Sequence, residues 1–148
     1  RSRKSKRSFS KNKGIIMSNF HVREKHLFVE QDFIGHSGGE LHWKIECDAI
    51  TSPEWKCIAR MIYERERRPF QAAIGIPRGG VELGRWLNEY STQNPEHPYL
   101  IVDDVLTTGG SMNEYKEEHF DGKESFGWVV FARKQPQPWV KALFQMPN

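Results

Sequence analysis

Cysteine and long apolar runs are scarce in this sequence, and each scarcity excludes a class of protein. The two cysteines, Cys47 and Cys57, lack the Cys-x-x-Cys spacing of a zinc knuckle or a redox motif, so we interpret both as packing residues in a reduced compartment. No stretch approaches the roughly 18 apolar residues of a membrane-spanning helix, and no apolar signal segment stands near the N-terminus. We therefore expect a cytoplasmic protein without a membrane partner.

Acidic residues are absent from the first 16 positions, which hold seven of the 22 Lys and Arg residues. The remaining chain has 15 basic and 19 acidic residues, so the net charge of +3 comes from this tail. A mildly acidic domain lacks the footprint of a nucleic-acid-binding protein. We interpret residues 1–16 as a disordered basic tail and Met17 as the candidate initiator, which would make the tail non-native. A nucleic-acid arm or a transit peptide is the alternative.

The length of 148 residues is typical of one domain, which we place at residues 17–148. Apolar residues of period two predict that Phe28–Ile34 and Leu41–Cys47 form an antiparallel hairpin around a Ser-Gly turn. Helical and strand patterns then alternate, which is typical of a parallel α/β sheet. They predict helices at 53–67, 81–90 and 112–119, and strands at 71–76, 99–102 and 126–132. The apolar segment 139–146 either caps the sheet or lines a pocket.

Two acids and a glycine turn follow the apolar strand that begins at Tyr99. Asp103 and Asp104 are ill suited to contact a phosphate, but they suit the hydroxyls of a sugar and a Mg²⁺ ion. The turn that follows offers backbone N–H groups, hydroxyls and a helix N-terminus to a phosphate. The segment therefore predicts a site for a sugar phosphate.

The 13 residues YLIVDDVLTTGGS, from Tyr99 to Ser111, resemble the motif of type I phosphoribosyltransferases that binds 5-phosphoribosyl-1-pyrophosphate (PRPP). The resemblance implies a Rossmann-like parallel sheet flanked by helices, with a small N-terminal hairpin as a hood. It implies that Asp103 and Asp104 hold the ribose hydroxyls and Mg²⁺. It also implies that a loop binds the 5-phosphate through Val105, Thr107, Thr108, Gly109, Gly110 and Ser111.

A second glycine turn lies one strand earlier, at Pro77, Arg78, Gly79 and Gly80. It resembles the family's pyrophosphate loop, in which backbone amides and a guanidinium would hold the leaving pyrophosphate. Arg78 thereby joins Asp103 and Asp104 as a catalytic candidate. An ordinary glycine turn between a strand and a helix is the alternative.

The segment from Phe33 to Ala49 looks like the hood of orotate phosphoribosyltransferases, where a Ser-Gly turn lies beside the base. The resemblance makes His36 and Ser37 candidates for base binding, and Trp139 is an aromatic candidate after the last predicted strand. A plain hairpin and simple packing of Trp139 are the alternatives.

The interval between the two glycine turns is short. Val81–Pro98 contains 18 residues, and the predicted helix takes about ten of them. The family normally places a strand, a basic catalytic loop and a returning strand there, so we expect that hairpin to be reduced or missing. Basic residues near Arg23 and Lys25, from the same chain or from the partner in an expected homodimer, are candidates to replace it, and slow turnover is the alternative.

Two functions remain open at this point. The first is a Mg²⁺-dependent transfer of the phosphoribosyl group from PRPP to a nitrogenous base, with orotate as the first guess, in nucleotide biosynthesis or salvage. The second is a PRPP-binding sensor or regulatory module without catalysis.

Overall fold

The computed structural model describes residues 26–34 and 40–147, which form two sheets and three α-helices. The first sheet is an antiparallel hairpin of β1 (Phe28–Ile34) and β2 (Glu40–Ile45). The second is parallel, in the order β3-β4-β5-β6. Its strands are β3 (Ala72–Gly75), β4 (Tyr99–Leu106), β5 (Ser125–Ala132) and β6 (Val140–Gln145). The helices are α1 (Ser52–Glu66), α2 (Val81–Leu87) and α3 (Gly110–Phe120). The predicted hairpin and parallel α/β sheet are confirmed.

Helix α1 begins where the capping residues predicted it. The Thr51 backbone N–H donates to Glu54 Oε2 at 3.2 Å, which satisfies one donor at the helix start. Ser52 is the first helical residue and Pro53 the second, one position later than we predicted for proline. Trp55 and Ile62 on the predicted apolar stripe are buried against the sheet, so the stripe docks the helix.

Helix α2 is shorter than predicted because Asn88 leaves it. Its Oδ1 accepts from the Ala73 N–H at 2.8 Å, and its Nδ2 donates to the Ala73 carbonyl at 2.7 Å. The side-chain amide therefore satisfies both backbone groups of a residue on β3, an edge strand. The chain continues as a 3₁₀ turn at Asn88–Tyr90.

Strand β4 runs further than predicted, through the two acids to Leu106. It pairs with β5 along its length, from Tyr99 opposite Ser125 to Leu106 opposite Ala132. Leu100 and Val102 pack in the core cluster of α1 and α2, whereas Ile101 packs in the cluster of α3. Strand β4 is thus covered on both faces, which explains its continuous apolar sequence.

The C-terminal apolar segment forms β6, a strand that the sequence reasoning did not assign. It lies parallel to β5, with Val140 opposite Gly127 and Gln145 opposite Ala132. Leu143 and Met146 also line an apolar cleft of about 780 Å³ beside α1. The segment therefore extends the sheet and lines a pocket.

The chain between the two glycine turns contains no catalytic-loop hairpin. Residues 91–98 form no strand and are held by backbone bonds, since Thr92 N–H donates to Phe70 O at 2.8 Å and Gln71 N–H donates to Pro98 O at 2.9 Å. The predicted reduction is confirmed. Within the described parts of the chain, no helix has the length and apolar character to cross a bilayer.

Candidate functional site

The two acids lie near the carboxyl end of β4, and one of them is buried. Asp103 is 9% exposed, and its Oδ1 accepts from the Asp104 N–H at 2.8 Å. Asp104 Oδ1 accepts in turn from the Val105 N–H at 2.7 Å. Burial, together with the charge of Asp104, raises the pKa of Asp103 to about 8. A nearby cation would favour ionisation of this carboxyl, because opposite charge stabilises the charged form.

The acid pair fits a Mg²⁺ ion bound jointly with a substrate. No group of three or more potential metal-ligating side chains occurs among residues 26–34 and 40–147, so the described side chains form no complete cage. Mg²⁺ commonly keeps several waters and binds through one or two carboxylates and substrate phosphates. Asp103 and Asp104 supply such carboxylates, and a substrate would supply the rest.

The predicted phosphate loop, Thr107–Ser111, leads from β4 into α3. Gly109 has φ +87°, a conformation that side chains with a Cβ rarely adopt. The hydroxyl-bearing residues Thr107, Thr108 and Ser111 are exposed, and the Gly110 N–H lies 3.4 Å from Thr108 Oγ1. The loop thus presents hydroxyls and a helix N-terminus to solvent, as a phosphate site requires.

The second glycine turn, Pro77–Gly80, packs directly against the acids. A Cβ at Gly79 would stand 2.1 Å from Asp104 Oδ2, and one at Gly80 would stand 2.5 Å from Val102 O. Only glycine permits this approach. The Gly80 N–H donates to Ile76 O at 2.9 Å, whereas the Arg78 and Gly79 amides have no acceptor among the described residues and could bind a ligand. The peptide bond between Pro77 and Arg78 is cis.

A cleft of about 220 Å³ lies between this turn and Asp104, and Arg78, Gly79 and Cys47 are also among its lining residues. Sequence reasoning took Cys47 for a packing residue. Burial raises the pKa of the Cys47 thiol, and Asp104 raises it further, so the thiol stays protonated beside the carboxylate. The predicted strand included Cys47, but β2 ends at Ile45 and Cys47 begins a 3₁₀ turn, where it is half-buried. No local signal pointed to its contact with Asp104 on β4.

Known proteins resemble this chain in structure rather than in sequence. No profile of a protein family matches it, and no curated protein matches it. An orotate phosphoribosyltransferase from Aeropyrum pernix superposes with a TM-score of 0.67 at 16% identity, over 81% of this chain and 88% of that one. UMP synthase from Leishmania donovani gives 0.68 at 14%, over 82% and 34%. Orotate phosphoribosyltransferase from Mycobacterium tuberculosis H37Rv gives 0.60 at 13%, over 81% and 90%.

The chain has the type I phosphoribosyltransferase fold. The predicted resemblance is confirmed at this level, and the two glycine turns occupy the carboxyl edge of the sheet, where ligands of open α/β sheets bind. The assignment of individual binding residues stays a prediction.

Arg133 connects the hood of this phosphoribosyltransferase fold, formed by β1 and β2, to the parallel sheet. Sequence reasoning did not single out this residue. The Arg133 guanidinium lies 3.8 Å from the Trp43 ring centroid and donates to the Trp43 carbonyl. Phe28 stacks on the same ring at 5.2 Å. Burial lowers the pKa of Arg133. The link joins the end of β5 to β2, and only the tertiary structure reveals it.

Of the three base-binding candidates, Trp139 is the one that lies within the described residues. Trp139 contacts α3, since its Nε1 donates to Asn113 Oδ1 at 2.9 Å and the Lys116 ammonium lies 4.5 Å from its ring. His36 and Ser37 lie outside the described residues, as do Arg23, Lys25 and the tail. Base binding by His36, Ser37 and Trp139 stays a prediction.

Proposed function

We propose that this protein is a phosphoribosyltransferase, which transfers the 5-phosphoribosyl group of PRPP to a nitrogenous base and releases pyrophosphate. One contact carries the proposal. Gly79, in the second glycine turn, lies against the carboxylate of Asp104, which precedes the phosphate loop in the chain. One ligand that spans a sugar, a 5-phosphate and a pyrophosphate would reach Asp103 and Asp104, the phosphate loop and Arg78 at once.

The reaction needs no protein nucleophile. A nitrogen lone pair of the base forms the bond to the anomeric carbon, and the carbon–oxygen bond to pyrophosphate breaks with its electrons leaving on that oxygen. Arg78 and the amides of its turn would stabilise the negative charge that gathers on the leaving group. Asp103 and Asp104 would orient the ribose through its hydroxyls. The same two carboxylates would hold Mg²⁺, which would supply positive charge to the phosphate groups.

Orotate is the first candidate for the base. It carries a carboxylate, and Arg133 supplies a guanidinium beside the hood at the end of β5. Guanidinium groups suit planar carboxylates. The structural similarity to orotate phosphoribosyltransferases agrees with this choice.

Pyrophosphate release tests the proposal. The full chain would be incubated with PRPP and Mg²⁺ and with orotate, uracil or a purine base in separate reactions. We expect release with orotate that stops when EDTA removes the metal. Failure of calorimetry to detect Mg²⁺-dependent PRPP binding would refute the proposal.

A second candidate function is PRPP sensing without transfer, and one observation favours it. Residues 91–98 replace the usual catalytic hairpin and carry no Lys or Arg, so the described chain supplies no basic cover there for the leaving group. PRPP binding without pyrophosphate release for any base would identify this function.

A further inference from the structure

Gln137 lies in the connection between β5 and β6, far along the chain from the phosphate loop that it contacts. Its Nε2 donates to the Gly109 carbonyl at 3.0 Å and to Asn113 Oδ1 at 3.0 Å. A primary amide has two N–H donors, and the start of α3 accepts both of them. The half-buried side chain is therefore fixed in orientation.

The acceptors of Gln137 are themselves held in place. The Gly109 carbonyl also accepts from the Asn113 N–H at 3.2 Å, as the first hydrogen bond of α3. Asn113 Oδ1 also accepts from Trp139 Nε1 at 2.9 Å. The network thus ties the loop, the first turn of α3 and the β5–β6 connection together, and each member limits the movement of the others.

The amide of Gln137 also packs against Gly109. A Cβ at Gly109 would stand 2.6 Å from Gln137 Oε1 and 3.0 Å from its Nε2. The side chain therefore fills the space on that side of Gly109. Gly109 has positive φ, a conformation that glycine adopts without strain and that residues with a Cβ rarely adopt.

We propose that Gln137 is a positioning residue, which holds the phosphate loop in the shape that receives the 5-phosphate. This inference rests on the proposed function for its ligand. Gln137 acts through Gly109 and Asn113 and touches no substrate. A preorganised loop binds more tightly because ligand binding no longer has to order it.

Two substitutions test the role. Gln137→Ala removes both hydrogen bonds and the filler behind Gly109, whereas Gln137→Glu keeps the shape but replaces the donors with acceptor oxygens. Gln71→Ala is the matched control, because Gln71 Nε2 donates to the His97 carbonyl at 2.7 Å on the chain before β4. Affinities for ribose 5-phosphate and for magnesium pyrophosphate would be measured by calorimetry on the full chain.

We expect Gln137→Ala to weaken ribose 5-phosphate binding about tenfold, and Gln137→Glu at least as much, from the loss of two hydrogen bonds. Magnesium pyrophosphate binding should not change in either variant, which separates a local role from general destabilisation. Gln71→Ala should bind both ligands as the wild type does. Wild-type affinity of Gln137→Ala for ribose 5-phosphate, or equal losses for both ligands, would overturn the inference.

Amide hydrogen exchange in the unliganded chain separates this inference from the proposed function. We expect the Asn113 amide, which donates to the Gly109 carbonyl at 3.2 Å, to exchange at least fivefold faster in Gln137→Ala than in Gln71→Ala, because the loop opens more often. If the wild type binds neither ligand, the proposed function fails, and this exchange still decides whether Gln137 holds the loop. Unchanged exchange would overturn the holding role.

Discussion

The two glycine turns at the carboxyl edge of the sheet differ in how many side-chain contacts hold them. The phosphate loop is held from behind by Gln137 and Asn113. The turn at Pro77–Gly79 is exposed, and in the described chain no ion pair engages the Arg78 guanidinium. From this difference we expect the proposed phosphate loop to bind its ligand without rearranging, whereas the proposed pyrophosphate turn should become ordered when its ligand binds.

Among the variants proposed here, Gly109→Ala should weaken ligand binding at the phosphate loop most. The new Cβ would stand 2.6 Å from Gln137 Oε1. The alanine would also have to adopt positive φ. We expect Mg²⁺-dependent PRPP affinity to fall about a hundredfold, or roughly 2.8 kcal/mol, in calorimetry. Gly122→Ala is the control, because Gly122 has φ +72° but open space around it. Equal affinity losses in both variants would contradict the contact with Gln137 as the cause.

Asp104→Asn tests the group that both turns share. Asparagine retains an Oδ1 acceptor for the Val105 N–H but loses the charge that would hold Mg²⁺ and the ribose hydroxyls. We expect PRPP affinity to fall by about 1 to 3 kcal/mol, with little change in the thermal midpoint. Asp121→Asn, at the exposed end of α3, should bind PRPP normally. Normal binding by Asp104→Asn would show that the acid is structural.

Arg78→Ala tests the role of the second glycine turn in pyrophosphate binding. Loss of the guanidinium should weaken magnesium pyrophosphate binding about tenfold, or roughly 1.4 kcal/mol, and leave ribose 5-phosphate binding unchanged. Arg85→Ala removes a guanidinium from α2 that lies 3.6 Å from Glu82, and serves as the matched control. A loss of ribose 5-phosphate affinity in Arg78→Ala would show that the two turns are not separate subsites.

Asp103→Asn should give the smallest effect, on stability. The pKa of about 8 means that the Asp103 carboxyl, which is 9% exposed beside Asp104, must take up a proton when the unliganded chain folds at neutral pH. An acid whose pKa is raised in the folded state lowers stability at any pH above its unfolded pKa. Asparagine is neutral without a proton and can still accept from the Asp104 N–H. We expect the free energy of unfolding at neutral pH without Mg²⁺ to rise by about 1 kcal/mol, measured by urea denaturation. A fall in that free energy would show that the Asp103 carboxyl stabilises the fold.

Local sequence patterns predicted much of the fold. The capping residues before α1 and the apolar run of β4 act over a few residues, so their signals stand in the sequence itself. The glycines of both turns were also visible, because a close backbone approach requires glycine wherever it occurs.

The parts that escaped prediction depend on long-range contacts. Asn88 ends α2 by pairing with Ala73, which lies 15 residues away. Gln137 contacts Gly109 across 28 residues, and Arg133 contacts Trp43 across 90. Strand β6 was missed since only its pairing with β5 separates it from an apolar loop. No periodicity of 2 or 3.6 residues carries such information.

The pairing of Asn88 with Ala73 also bears on how copies of this protein meet in concentrated solution. An edge strand with free N–H and C=O groups can recruit a strand from another molecule and begin aggregation. On β3 the Asn88 amide already occupies the N–H and the C=O of Ala73. One side chain thereby removes the backbone groups of Ala73 from those that an added strand could pair with.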